Sequence, residues 1–273
     1  ERIGRHLASR RSRVLLSTKV GYGIPGIPDL TYDAVVAGVK AALQAMRTDR
    51  IDIVHLHSFP AEVVRSHGLL DALQAMVEMG LVRVAAYSGD NQDLDWIVNE
   101  GPVGSMQCSF NVCDQRILHG TLGRAKGRGL GVIAKRPLAN APWTYYVRPS
   151  GEDTATYWDR WNAMGLHLDA APEEIFLRFA AFTWGIDAVI TGVSGLDHLR
   201  ANAAALEKGP LPPNIHDAVR NAFQRHGAGW PSVTYKDEEN GSTKNMKGVG
   251  GRRKGQEGGR LLRCRREEWI TFV

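Results

Sequence analysis

Short β-rich runs alternate with longer stretches whose apolar residues recur at helical spacing. That alternation restricts the chain to parallel βαβ units. Val14–Lys19 (VLLSTK), Ile51–Leu56 (IDIVHL), Leu81–Tyr87 (LVRVAAY), Val103–Cys108, Leu130–Lys135 (LGVIAK) and Ala188–Thr191 read as six strands. Between and after them, helical patterns run over Tyr32–Met46, Leu69–Glu78, Gln92–Asn99, Ile117–Lys126, Pro172–Thr183, Asp197–Leu206 and Ile215–Phe223. The helix at Pro172 opens with proline in its first turn and Glu173 and Glu174 beside it, as the helix dipole favours. Six strands suit a doubly wound sheet, whereas a closed barrel has eight. No GxGxxG stands at any strand-to-helix turn, which argues against a Rossmann dinucleotide fold.

The pattern ends near Val233. Residues 234–273 hold seven glycines and no helical or strand period before a short apolar ending, so they read as a disordered basic tail. This locates the charge. Of the net +5, the tail contributes a surplus of four, with 10 Lys+Arg against 6 Asp+Glu, and the body is nearly neutral at 24 against 23. The tail's charge is mixed with glycine and acidic residues, so neither a nucleic-acid nor a membrane partner is expected. No apolar run reaches the roughly 18 residues of a membrane span. Cys108, Cys113 and Cys264 form no CxxC pair, which fits a reduced, cytoplasmic setting.

Side chains at the C-terminal ends of parallel strands face the reactive end of such folds. Here those ends carry Lys19, His57, Ser88, Gln107, Lys135 and Arg136. His55 and His57 lie two apart on one strand and so share a face. An HxH pair can begin a metal-ligand set, but no later strand ends in histidine and no metal is expected. His55 instead suits a deeper, hydrogen-bonded interior position. The chain lacks a GxSxG elbow, a phosphate-binding GxxxxGK[ST] loop and a Cys/His/Asn constellation, so nucleophilic hydrolysis and P-loop chemistry find no support.

In order along the chain, LLSTKVGYG, RIDIVHLHSFP, GLVRVAAYSGDN, SMQCSFNV, GLGVIAKRPLAN and DAVITGVSGLDHLRANAAAL resemble the aldo-keto reductases, from residue 1 to about 233. The resemblance implies a (β/α)8 barrel, NADPH as hydride donor (NAD as the alternative) and small-molecule carbonyls reduced to alcohols. It matches the family's catalytic lysine to Lys19 and its catalytic histidine to His57. Ser88 and Gln107 fall where the nicotinamide carboxamide is held. Gly192, Val193 and Ser194 fall near the cofactor phosphates, and His198 and Asn202 toward the 2′-phosphate and adenine. Residues 192–195 open a helix, whose N-terminal amides favour an anion.

Departures from the family accompany these matches. The family's Asp and Tyr precede the lysine strand. ERIGRHL resembles the helix just after that Tyr, and Tyr22 and Tyr32 do not match it. The expectation is therefore an incomplete barrel of six strands in eight, N-terminally truncated and by itself an inactive fragment. Gly89 replaces an Asn, Lys135 an aromatic that stacks on nicotinamide, and Gly192 a Lys of the phosphate clamp. A non-catalytic nicotinamide-nucleotide-binding regulatory protein of the same fold is the alternative. Substrate identity rests on the Ala139–Pro149 loop with Trp143, Tyr145 and Tyr146, which composition does not decode.

Overall fold

The computed structural model describes residues 1–234, 260–263 and 270–272. Its elements are α1 (Arg2–Leu7), β1 (Ser17–Val20), α2 (Tyr32–Met46), β2 (Ile51–His57), α3 (Ala61–Ser66), α4 (Leu69–Glu78), β3 (Val82–Ser88), α5 (Asn91–Glu100) and β4 (Ser105–Ser109). They continue with α6 (Thr121–Gly127), β5 (Gly131–Lys135), α7 (Glu152–Met164), α8 (Pro172–Phe182), β6 (Ala188–Thr191), α9 (Leu196–Glu207) and α10 (Pro213–Gly227). Two short strands, β7 (Arg260–Arg263) and β8 (Ile270–Phe272), come last. Strands β1 to β6 pair in sequence order, all parallel, and form the incomplete (β/α)8 barrel that the resemblance implies, not the doubly wound sheet that the strand count alone suits. β7 then pairs antiparallel with β6, and β8 antiparallel with β7.

Local chemistry accounts for the element ends. Thr31 caps α2 by accepting a bond from the Ala34 amide at 3.2 Å, and Arg47 closes it in a left-handed conformation. The first strand begins at Ser17, three residues later than its apolar run. Val14 and Leu16 are buried all the same, and the Leu16 amide donates to Asp52 at 2.8 Å. Asp52 also pairs with Arg11 at 2.8 Å and Arg83 at 3.1 Å, which ties the N-terminal ends of β1, β2 and β3 together.

The main core lies between the outer face of the sheet and its helices. Val54, Leu56, Met106 and Val132 meet Val35, Val39, Leu73, Leu94, Ile97, Phe176 and Phe179 there. The inner face has a separate, small apolar cluster, Ile133 and Ala188 with half-buried Ile53 and Ile190. Polar side chains occupy the inner face beyond it, toward the C-terminal strand ends. Apolar contacts thus hold the scaffold from outside while the interior stays available to chemistry.

Two helices, α3 and α7, lie where the sequence shows no helical pattern, while α1 falls on ERIGRHL. Within 234–273, read from the sequence as a disordered tail, the described residues are Thr234 and the strands β7 and β8. Their Leu261, Leu262, Ile270 and Phe272 suit short strands, and the edge of β6 offers backbone groups to pair with. Residues 235–259, 264–269 and 273 of that tail lie outside the described residues.

Candidate active site

Parallel register brings the strand-end residues into one row. Lys19 lies beside His55 across β1 and β2, His57 beside Ser88 across β2 and β3, and Ser88 beside Gln107 across β3 and β4. The side chains of Lys19, His57, Ser88 and Gln107 open into a cleft of about 1120 Å³ that Tyr87, Lys135, Thr191 and Gly192 also line. Of the residues singled out in sequence, the fold therefore gathers Lys19, His57, Ser88, Gln107 and Gly192 around one space. Val193, Ser194, His198 and Asn202 are not part of its wall. Ser194 Oγ and His198 Nδ1 lie 2.9 Å apart in the exposed opening turn of α9, and Asn202 is buried further along that helix.

Burial lowers the basicity of the histidines and of Lys19 around the cleft. Burial, with Lys19 and Lys135 nearby, holds the His57 imidazole neutral, down to about 4. His55, fully buried below it, is pushed down to about 3 by burial and then by Lys19. Its Nδ1 lies 3.3 Å from the Thr18 carbonyl and 3.4 Å from Ser17 Oγ, while its Nε2 has no partner. Burial, with the charge of Lys135, brings the Lys19 ammonium down to about 8. The Tyr87 phenol is raised well above its ordinary value by burial and donates to the Phe59 carbonyl at 2.6 Å.

Two polar features prepare the floor. Ser88 Oγ donates to Gln107 Oε1 at 3.2 Å, so the Gln107 carboxamide presents its Nε2 group, which is buried and has no partner. An unmet buried donor of this kind costs stability unless a ligand satisfies it. Beside it, Lys135 Nζ pairs with Asp90 at 2.8 Å, and Asp90 also accepts from the Ser109 amide at 2.7 Å. Gly89 is obligatory next to Tyr87, because a Cβ there would lie 2.4 Å from the tyrosine ring.

The segment after α10 closes one side. Asp114, buried behind β4, accepts from Ser232 Oγ and from the Val233 amide, each at 2.9 Å. Asn91 bonds the Ser232 backbone in both directions, at 2.8 and 3.1 Å, and Arg160 donates to the Pro231 carbonyl at 2.7 Å. Thr234 thereby reaches the cleft wall. Asp90 and Asp114 were not among the sequence candidates. Asp90 had a visible signal, a carboxylate two residues beyond a strand end, but Asp114 had none. Among the described residues, no three His, Cys, Asp or Glu side chains are placed to share a metal ion, and no helix is long and apolar enough to cross a membrane.

The model of the Aldo/keto reductase family matches residues 1–223. Human aflatoxin B1 aldehyde reductase member 4 is 24% identical over 265 residues, covering 81% of this chain and 78% of the relative. Among solved structures, the holo form of aldo-keto reductase AKR11C1 from Bacillus halodurans superposes with a TM-score of 0.71 at 21% identity, over 86% of this chain and 79% of its own. Its apo form gives 0.68 at 20% identity, over 86% and 78%. At these identities the two structures speak to the fold.

Proposed function

The chain belongs to the aldo/keto reductase family, and on that premise we propose that it binds a nicotinamide dinucleotide, NADPH before NADH, and reduces aldehyde or ketone groups of small molecules. The observation that carries the reading is the cleft itself, which joins Lys19 and His57 to a buried Gln107 Nε2 that has no partner. Ser88 and Gln107 fit the carboxamide of a nicotinamide, since an amide oxygen would satisfy Gln107 Nε2 and an amide N–H can donate to either side chain's oxygen. Gly192 leads into the arm of Val193, Ser194, His198 and Asn202, to which we assign the phosphates and the adenosine end. The reduced nicotinamide, when bound, supplies the hydride.

His57, held neutral, donates an N–H hydrogen bond to the substrate oxygen and orients it without adding charge. Lys19 places a positive charge where negative charge develops on that oxygen, in a partly water-excluded site where such charge counts most. The human relative is by name an aldehyde reductase, and aldehydes are the substrates we assign first.

Fluorescence titration with NADPH and with NADH, followed by NADPH oxidation in the presence of a nitrobenzaldehyde, tests this. Saturable NADPH binding with aldehyde-dependent oxidation is the expected result. Absence of binding refutes the reading. Binding with no oxidation of any aldehyde or ketone offered would instead make the chain a non-catalytic nucleotide-binding protein.

A further inference from the structure

From the Pro231 carbonyl to the Val233 carbonyl, every backbone polar group of the segment after α10 is held by a side chain. We propose that this segment is a releasable strap whose grip is set from the cleft by the Ser109 hydroxyl. The proposal goes beyond the reductase reading and does not depend on it.

The grip is polar throughout. Arg160 donates to the Pro231 carbonyl, Asn91 bonds both the amide and the carbonyl of Ser232, and Asp114 accepts from the Val233 amide. The Val233 carbonyl takes two donors, Arg136 Nη1 and, at 3.4 Å, Ser109 Oγ. The groove that receives the strap is braced independently of it. Arg160 donates to the Cys113 carbonyl at 3.2 Å, Arg136 pairs with Asp153 at 2.7 Å, and the Ser109 amide is fixed on Asp90. The strap brings little apolar surface of its own. Val233 is buried, Pro231 is exposed, and Trp230 lies half-buried over Arg160. A contact made mostly of hydrogen bonds opens locally without unfolding the core, because water replaces each bond at small net cost.

Ser109 has one hydroxyl proton and two acceptors for it. Its Oγ lies 3.4 Å from the Val233 carbonyl and 3.3 Å from Asp90 Oδ2. Lys135 Nζ is bound to that same Oδ2 at 2.8 Å, while Asp90 Oδ1 takes the Ser109 amide. With Lys135 in place, Oδ2 has a charged donor and the hydroxyl is free to hold the strap. With Lys135 withdrawn, a carboxylate only 2% exposed is left with a bare oxygen, and a charged acceptor outcompetes a carbonyl for the proton. Ser109 then turns to Asp90, and the Val233 carbonyl keeps Arg136 alone. Lys135 and Asp90 both line the cleft, so a ligand anion that draws Lys135 from Asp90 loosens the wall that Thr234 completes. The rotating hydroxyl supplies the two discrete states that coupling between separate places requires.

Hydrogen exchange of the Ser232 and Val233 amides, followed by NMR in the full chain at a single pH, tests this. The Val54 amide of β2 reports global opening, and its contribution is subtracted. Lys135→Met stands in for a ligand that withdraws the lysine, and should speed strap exchange about 3–10-fold, the worth of one net hydrogen bond. Lys135→Arg keeps the ion pair and should stay within about twofold of the wild type. Asp90→Asn works in the opposite direction. Its Oδ1 still accepts from the Ser109 amide, and its Nδ2 donates to the Ser109 oxygen. That sends the hydroxyl proton to Val233 and should slow strap exchange about 3–10-fold. In a Ser109→Ala background both effects should vanish.

Damage to packing would loosen the strap in Lys135→Met and Asp90→Asn alike, so faster exchange in Asp90→Asn overturns the proposal. Unchanged exchange in Lys135→Met overturns it, as does either effect surviving in Ser109→Ala. A wild-type strap no less protected than Val54 is left open by neither state and also overturns it if its protection exceeds that of Val54 in every variant. Should Lys135→Met fail to fold, the slowing in Asp90→Asn and its loss in Ser109→Ala decide the matter by themselves.

Discussion

Asp114 gives the chain a pH-dependent stability that a single substitution should remove. Its carboxylate is 1% exposed and accepts two bonds from the segment at Ser232 and Val233. Burial, reinforced by the charge of Asp90, raises it to about 7, against the pull of the Val233 and Ser232 bonds and of Arg160. An unfolded aspartate titrates near 3.9. Between those two values the folded chain holds a proton that the unfolded chain does not. Stability therefore falls as pH rises across that window, by about 1.4 kcal/mol per unit and about 4 kcal/mol in all. Asp114→Asn cannot ionise, and its amide loses one of the two accepted bonds, a cost of roughly 1–3 kcal/mol at every pH.

The two stability curves should therefore cross. Near pH 4.5 the wild type should be the more stable by roughly 1–3 kcal/mol. By pH 8, with its carboxylate ionised, it should be the less stable by a similar amount. Urea unfolding followed by tryptophan fluorescence, at four pH values from 4.5 to 8, measures the difference directly. Other titrating groups are common to both chains and cancel. A difference that stays constant across that range would refute the argument, since it would mean that Asp114 is already ionised and well solvated when folded.

Three further substitutions probe the cleft. Lys135→Met leaves Asp90, 2% exposed at its side chain, without its counter-charge, and should cost about 3–5 kcal/mol in denaturant unfolding at pH 8. A loss under about 1 kcal/mol would show the pair to be unimportant. Gln107→Leu removes a buried donor with no partner but leaves the buried Ser88 hydroxyl without its acceptor, opposing effects of about 1–3 kcal/mol each, so the melting temperature should move little while the Kd for NADPH increases about tenfold, the loss of one net hydrogen bond of about 1.4 kcal/mol. An unchanged Kd would remove Gln107 from the nucleotide site. Gly89→Ala drives a methyl into the Tyr87 ring and should cost about 1–3 kcal/mol, read from the same unfolding curves; a neutral result would mean that the ring moves aside freely.

The sequence showed the repeating scaffold better than it showed the polar interior. α2 and α4 begin and end where their apolar spacing and capping residues put them, because Thr31 and the Val35, Val39, Leu70 and Leu73 stripes are local signals. α7 carries Glu152 and Asp153 in its first turn and Gly165 after its last. Its buried face, however, mixes Tyr157 with Arg160, so no apolar stripe marks it. The row of Lys19, His57, Ser88 and Gln107 was legible because parallel strands deliver their ends to one place. The bonds from Asp114 to Ser232 and from Asn91 to Ser232 were not, because they join residues 118 and 141 positions apart that only the finished fold brings together.

Those bonds also set a clock. Ser232 meets Asn91 across 141 residues, which a ribosome making 5–20 residues per second needs about 7–28 s to add. In the last part of that interval, once Thr191 has been added, all the strand ends that line the cleft can exist with its Thr234 side still open, and Asp114 has neither of its partners from that segment. The site is thus completed from the far end of the chain, and a small molecule captured before then meets a wider, wetter cavity than one that arrives after the segment has docked.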